Sequence, residues 1–390
     1  MDNFQRDIIN LINSSLIGSN ITLSEDFDWE KAYSFGIKHQ IIPLIFYGII
    51  NSDIVLSNEI FEKFEVSNCF AVNVNVNQTL ALEEMYKYFE EQGISYIPLK
   101  GIVLKNLYPK LEMRQMSDAD ILIKTDEYSA VKKIMLSLGF ENVDESDHEY
   151  IWQKGKLINI ELHKRLIPSY NEDYYSYFGD GWQKAQKSKS SRYEFSDEDN
   201  FIYLFTHYAK HFRDGGIGIR HITDFFVFLK EKQELNISYI EDELKKLKLL
   251  DFYKNTIKVL DVWFGGKTGD NITDFMTDRI FRSGAYGTQE ASMISKAVGS
   301  QYKNNVKARF GMIFSMVFPS FKNMCIRYSF LKKAPFLLPI LWVVRLFRIV
   351  FKRRGGIKHY AKGIQFVTDE NMTKYYEELK LVGLIFDLKE

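Results

Sequence analysis

The chain has 390 residues, of which 46% are hydrophobic, and 51 Lys or Arg balance 51 Asp or Glu. That is the composition of a globular protein of two or three domains at ~150 residues each. Aromatic residues reach 15% while proline stays at 7, which excludes a disordered, collagen-like or proline-rich chain. The two cysteines, Cys69 and Cys325, exclude a disulfide framework and a cysteine-based zinc site, and they fit a reducing cytoplasm.

The first turns carry Asp2, Arg6 and Asp7, so no apolar secretory segment is expected there and the predicted location is cytoplasmic. Residues 1–77 read as an N-terminal helical region. In it Ala32, Phe35, Ile42 and Ile45 recur at helical spacing behind Asp28, a good N-cap. From Gln78 the pattern changes. Leu82, Met85, Tyr86 and Phe89 share one helical face that ends at Gly93. A strand follows at 94–99, then a short helix after Gly101 carrying Leu104, Leu107, Tyr108 and Leu111, with Pro109 disturbing its last turn. Residues 117–124 read as a strand, and Val131, Ile134, Met135 and Leu138 as one face of a helix stopped by Gly139. A hairpin with Gly155 in its turn closes the unit. Residues 78–170 thus form an α/β core.

After Pro168 helical periodicity returns near 198–212, 219–232, 238–264 and 271–282, so 171–300 reads as a helical region. The last region, 301–390, is basic, aromatic-rich and predicted helical. Residues 301–360 hold 13 Lys or Arg and no acid, leaving a formal −13 on the rest of the chain. Such a stretch points to an anionic partner (a nucleotide, a nucleic acid or a membrane surface) or to pairing with the chain's own acidic remainder. The longest apolar uncharged run, 334–344, has 11 residues, against the ~20 a bilayer span requires.

Three segments carry chemistry. On a strand, alternate side chains share a face, so Asp118 and Asp120 project together while Ala119, Ile121 and Ile123 face a core. Two neighbouring carboxylates repel, and a divalent metal removes that cost. Along 158–163, Asn159, Glu161 and His163 share the face opposite Ile158, Ile160 and Leu162. If the two strands are neighbours, Glu161 becomes a third carboxylate, as a two-metal site requires. Lys100-Gly101 ends a strand and opens a helix, where backbone amides and a lysine suit a phosphate, and Arg114 adds a fork-shaped donor. His163 either orients a phosphate or carboxylate or is a satisfied core histidine. His207 and His211, at i and i+4, have metal-binding spacing, but no HExxH accompanies them and a packed, hydrogen-bonded pair is the expectation. Arg220 and Asp224 read as a helix salt bridge.

At Leu99-Lys100-Gly101, Tyr108-Pro109, Arg114, Ser117 with the strand residues through 122, and Glu161-Leu162-His163, the chain resembles the polymerase-β-like nucleotidyltransferase superfamily. Within it the match is to a group of largely uncharacterised bacterial nucleotidyltransferases. The resemblance is close over 97–163 and looser over about three quarters of the chain, including 29–44 and 203–229. The superfamily usually has Gly-Gly or Gly-Ser at the turn; Lys100-Gly101, 17 positions before Asp118, fits the uncharacterised group.

The resemblance implies an α+β fold, a small mixed-sheet nucleotidyltransferase core embedded in a mostly helical chain. It implies transfer of a nucleoside monophosphate from a nucleoside triphosphate to an acceptor hydroxyl with pyrophosphate release. Asp118, Asp120 and Glu161 would hold Mg2+ or Mn2+, and Glu161 would help deprotonate the acceptor. Lys100, Gly101, Arg114, Ser117 and His163 would bind the nucleotide. The acceptor stays open between a small molecule, a protein and an RNA. The alternatives are a non-catalytic nucleotide- or partner-binding protein, which three mutually repelling acids argue against, and a peripheral membrane component. The latter would use 321–354, where Arg345 and Arg348 interrupt the apolar run and disfavour lipid. Packing of Phe336, Leu341, Trp342 and Phe347 against the protein body is the expected arrangement.

Overall fold

The middle of the chain forms a mixed seven-stranded sheet, described in a computed structural model covering residues 1–169, 171–299, 305–321, 324–325, 328–352 and 363–384. The strands are β1 Tyr96–Pro98, β2 Ala119–Ile123, β3 Glu141–Glu145, β4 Glu149–Lys154, β5 Ile158–His163, β6 Ala185–Lys189 and β7 Arg192–Phe195. Their order is β3-β4-β5-β2-β1-β7-β6. The pairs β2/β5 and β1/β7 are parallel and the others antiparallel.

The helices up to residue 231 are α1 Asn3–Ile17, α2 Trp29–His39, α3 Ile42–Ile50, α4 Asn58–Gln92, α5 Gly101–Leu104, α6 Tyr128–Ser137, α7 Glu172–Phe178, α8 Asp197–Asp214 and α9 Ile219–Glu231, and α4 and α6 cover one face of this sheet. Leu82, Met85 and Phe89 of α4 and Val131, Ile134 and Met135 of α6 pack on Ile121, Ile123, Trp152, Ile160 and Leu162. The helix stops follow the sequence: Gly93 and Gly139 both take positive φ, and the amides of Ile94 and Phe140 return to carbonyls five residues back. The α+β expectation therefore holds. The expected boundary after residue 77 falls inside α4, which continues unbroken for 35 residues.

The chain separates into two compact units, Met1–Tyr208 with Gly218–Ala285, and Ala209–Ile217 with Tyr286–Glu390. In the first, α8 (Asp197–Asp214) and α9 (Ile219–Glu231) contribute Phe201, Phe205, Tyr208 and Phe225 to an aromatic cluster with Phe252 and Tyr253. In the second, Met293, Ala297, Met312 and Val367 form one small core, and Met324, Cys325 and Leu331 another.

Several expectations change. The region 171–300 contains the β6–β7 hairpin, a polar and exposed pair whose weak apolar alternation hid it; it extends the sheet beside β1. The helix after Gly101 is a single α turn, Gly101–Leu104, followed by 3-10 turns. The periodic stretch 238–264 is two helices, Ile237–Lys246 and Leu250–Phe264, separated at Lys248, which has φ 57°. Leu341 and Trp342, expected on the protein body, pack on the second small core within the C-terminal unit, and Phe336 and Phe347 are 76% and 61% exposed. Much of the basic stretch, including Lys303, Lys322, Arg327, Arg353, Arg354 and Lys358, lies outside the described residues. No helix among the described residues is long and apolar enough to cross a membrane.

Trp152 is fully buried in the sheet–helix core. Trp152→Ala should lower unfolding stability by ~3–5 kcal/mol, measured by denaturant titration; a loss below ~1 kcal/mol would mean that this core does not hold the sheet.

Candidate active site

The sheet face opposite α4 and α6 collects the polar side chains of three strands. Parallel pairing sets Asp120 beside Glu161 and Leu122 beside His163. Antiparallel pairing of β4 with β5 sets Ile151 beside Glu161 and Glu149 beside His163. Asp118 lies just before β2, in a bend at the strand's mouth. Sequence reading expected Asp118, Asp120 and Glu161 to meet through neighbouring strands, and β2 and β5 are indeed neighbours.

Asp120 is 4% exposed, and a single oxygen, Oδ1, accepts from both Lys100 Nζ at 2.7 Å and His163 Nε2 at 2.7 Å. Burial alone would raise this carboxyl, but Lys100 and His163 pull it well below the usual carboxylate range. Burial works against the Lys100 ammonium too, and Asp120 more than compensates, so its pKa rises. His163 is held below its ordinary value, chiefly by burial and against the pull of Asp120. For Asp118 burial and then Asp120 raise the pKa, while Lys100 and Arg220 oppose them. Glu161 is pushed up to about 8, by burial and by the charges of Asp120, Asp118 and Glu149. The pocket thus holds more carboxyl groups than its cations balance, the condition that favours an added cation.

The turn at Lys100-Gly101 departs from expectation in an informative way. The residue with positive φ is Lys100, at φ 46° and ψ −118°, a backbone state costing a side-chain-bearing residue ~1–3 kcal/mol. Its ammonium is anchored on Asp120. Gly101 is required for space: a Cβ there would lie 2.6 Å from Met116 Sδ. The amides of Ile102, Val103 and Leu104 bond to the carbonyls of Leu99 and Lys100, so the expected open row of helix N-terminal donors shrinks to the turn itself.

Arg114 also takes a different place. It is buried, its Nε donates to Asp224 Oδ1 at 2.6 Å, and its Nη1 donates to the Gln115 carbonyl. Tyr108 donates to the same Asp224 oxygen at 2.7 Å. Arg114 therefore ties the segment after Gly101 to α9 instead of offering an open phosphate contact. Asp224, read from sequence as the partner of Arg220, takes Arg114 and Tyr108. Arg220 is directed instead at Gln40 Oε1 and the Gln115 carbonyl, and its charge is felt at Asp118. Ser117 is joined to Gln40, whose Nε2 lies 3.0 Å from Ser117 Oγ.

Glu149, Tyr203 and His148 escaped sequence reading as site residues. Glu149 sits in an alternating strand whose facing direction only the register reveals. Tyr203 is fully buried, its hydroxyl without a hydrogen-bond partner, and it feels Lys100, Asp120 and Glu161 from α8. Among the described residues, two clusters have the donor atoms for a metal: Asp120 with Glu161 and His163, and His148 with Glu149 and His163. Neither includes His207 or His211.

A family described as uncharacterised nucleotidyltransferase matches residues 25–265, and the chain belongs to that family. The match contains the whole sheet and site; the Tyr286–Glu390 part of the second unit lies beyond it. The chain has no match among curated proteins. A solution structure of the antibiotic-resistance factor ANT(2'')-Ia is similar to 50% of this chain over 100% of its own length, at 11% identity and a TM-score of 0.33.

Raising Glu161 to about 8 from its ordinary 4.5 means that between these pH values the folded protein keeps a proton the unfolded chain has lost. Stability should therefore fall as pH rises through that window. Without metal, Glu161→Gln should be more stable than the native protein at pH 8–9 by at least ~1 kcal/mol, one pKa unit being ~1.4 kcal/mol, and no more stable at pH 4. Equal or lower stability of the variant at pH 9 would contradict this charge crowding.

Proposed function

We propose that the protein transfers a nucleoside monophosphate from a nucleoside triphosphate to an acceptor hydroxyl, releasing pyrophosphate, with Asp118, Asp120 and Glu161 holding a divalent cation such as Mg2+ or Mn2+. The observation that carries this reading is the in-register pairing of Asp120 with Glu161, with Asp118 at the strand's mouth, in a family of nucleotidyltransferases. The donor set fits such a cation: carboxylates outnumber the local positive charges, and their crowding with burial pushes Glu161 up to about 8. When bound, the cation supplies charge neutralisation on the phosphates undergoing transfer.

The remaining work falls to the chain's own groups. Lys100, which neutralises Asp120 here, carries a charge that can pass to a phosphate oxygen when the donor binds. Gly101 keeps the turn free of a side chain, so that its backbone can lie close to the triphosphate. Ser117 offers a hydroxyl and Arg220 a positive charge on the Asp118 side. With its own proton released when a divalent cation is held, the Glu161 carboxylate would take the proton of the acceptor's O–H as that oxygen bonds the α-phosphorus and the bond from that phosphorus to the leaving pyrophosphate breaks. His163, donating to Asp120, fixes the carboxylate that faces the cation. Rate enhancement would come mainly from positioning and charge neutralisation.

Calorimetric titration of each nucleoside triphosphate with Mg2+ tests this on the native protein and on the Asp118→Asn/Asp120→Asn double variant. At least one triphosphate should bind, and the double variant should bind it at least ~100-fold more weakly, a ~2.7 kcal/mol loss. Label from its α-phosphate should then appear on an acceptor. Failure of every triphosphate to bind well-folded native protein would overturn the proposal.

A further inference from the structure

Beside the transfer site, His148 lies in the bend just before β4 and Glu149 is the strand's first residue, which antiparallel pairing sets directly against His163. One donor atom from each of His148, Glu149 and His163 lies within 4.8 Å of the other two. His148 Nε2 and Glu149 Oε2 are already 2.9 Å apart. The three side chains thus converge before any ion is added.

His163 is held through Nε2, whereas His148 is placed through Nδ1 and already meets Glu149 Oε2 through Nε2. His163 Nε2 lies 2.7 Å from Asp120 Oδ1, and His148 Nδ1 lies 3.1 Å from Ser146 Oγ. A carboxylate oxygen can only accept, so Nε2 of a neutral His163 bears the proton and Nδ1 keeps its lone pair. His163 is 2% exposed, and this Nδ1 is buried with no hydrogen-bond partner. A buried acceptor left unmet is costly, and native structures rarely retain one without reason. Histidines that bind metals commonly give their other N–H to a carboxylate or similar oxygen, which fixes the ring and raises its basicity. His163 shows this arrangement through Asp120. With Nε2 committed there, Nδ1 is the nitrogen of His163 whose lone pair remains for a metal.

We infer that His148, Glu149 and His163 form a binding site for one divalent transition-metal ion of the zinc type, distinct from the carboxylate site at Asp118, Asp120 and Glu161. Two imidazole nitrogens and one carboxylate oxygen suit zinc or cobalt, whereas Mg2+ favours an all-oxygen shell. Three protein ligands leave a coordination position for water or a phosphate oxygen. Asp120 joins the two sites, serving the transfer site as a carboxylate and this one as the partner that orients His163. The assignment does not depend on the chain's being a nucleotidyltransferase.

The test is titration of chelator-stripped full-length protein with Zn2+ in competition with a chromogenic chelator, followed by Co2+ as a spectroscopic probe. The native protein should take up one equivalent of Zn2+ that His148→Ala loses or binds at least ~100-fold more weakly. Glu149→Gln should weaken the same equivalent, and Co2+ should show absorption of a four- or five-coordinate nitrogen–oxygen site in the native protein only. Asp118→Asn should bind Zn2+ like the native protein while losing Mg2+-dependent triphosphate binding, so the two sites fail independently. Circular dichroism and the thermal midpoint establish that each variant is folded, and His148→Gln replaces His148→Ala if the latter is not. Absence of a bound equivalent, or a folded His148 variant that binds Zn2+ as the native protein does, would overturn the assignment.

Discussion

The buried carboxylate of Asp120 is the constraint around which the rest of the site is arranged. Removing an ionised carboxylate from water costs several kcal/mol unless close partners replace the lost hydration. Here Lys100 and His163 supply that replacement from two sides, onto one oxygen. Lys100 arrives from the end of β1 and His163 from β5, so the three central strands are bound together through one charge. The strained backbone of Lys100 is intelligible in this light. Its ammonium sits where it neutralises Asp120, and that interaction offsets the cost of an unfavourable φ.

A second buried pair braces the first. Arg114 and Asp224, both nearly inaccessible, join the segment after Gly101 to α9, and Tyr108 donates to the same oxygen. Loss of either charge would leave the other unpaired in the interior, so this contact fixes the wall from which Arg220 acts on Asp118. Tyr108 and Arg114 therefore serve the shape of this wall first and its electrostatics second.

The balance of charge is deliberately incomplete in physical terms. Asp118, Glu149 and Glu161 stand near Asp120 with fewer cations than acids, and Glu161 responds by holding its proton to about 8. A pocket in this condition gains most from a multivalent cation, whose binding and proton release are the same event. His163 lies at the seam, between the carboxylates on β2 and β5 and the His148–Glu149 pair at the start of β4.

The sequence by itself determined the two faces of the central strands. Alternation placed Asp118, Asp120, Glu161 and His163 apart from Ile121, Ile160 and Leu162 because side-chain direction on a strand depends only on parity. It also set the helix stops at Gly93 and Gly139, which rest on local backbone freedom. Tertiary structure alone decided which strands are neighbours, and hence that Asp120 meets Glu161 and Glu149 meets His163, since register depends on contacts far apart in the chain. It decided that Arg114 belongs to Asp224, more than a hundred residues away, a choice made by burial of both charges and invisible to i, i+4 arithmetic. The polar β6–β7 hairpin was hidden for the same reason. Its hydrogen bonds to β1 make it part of the sheet, and no apolar pattern announces a strand whose side chains remain in water.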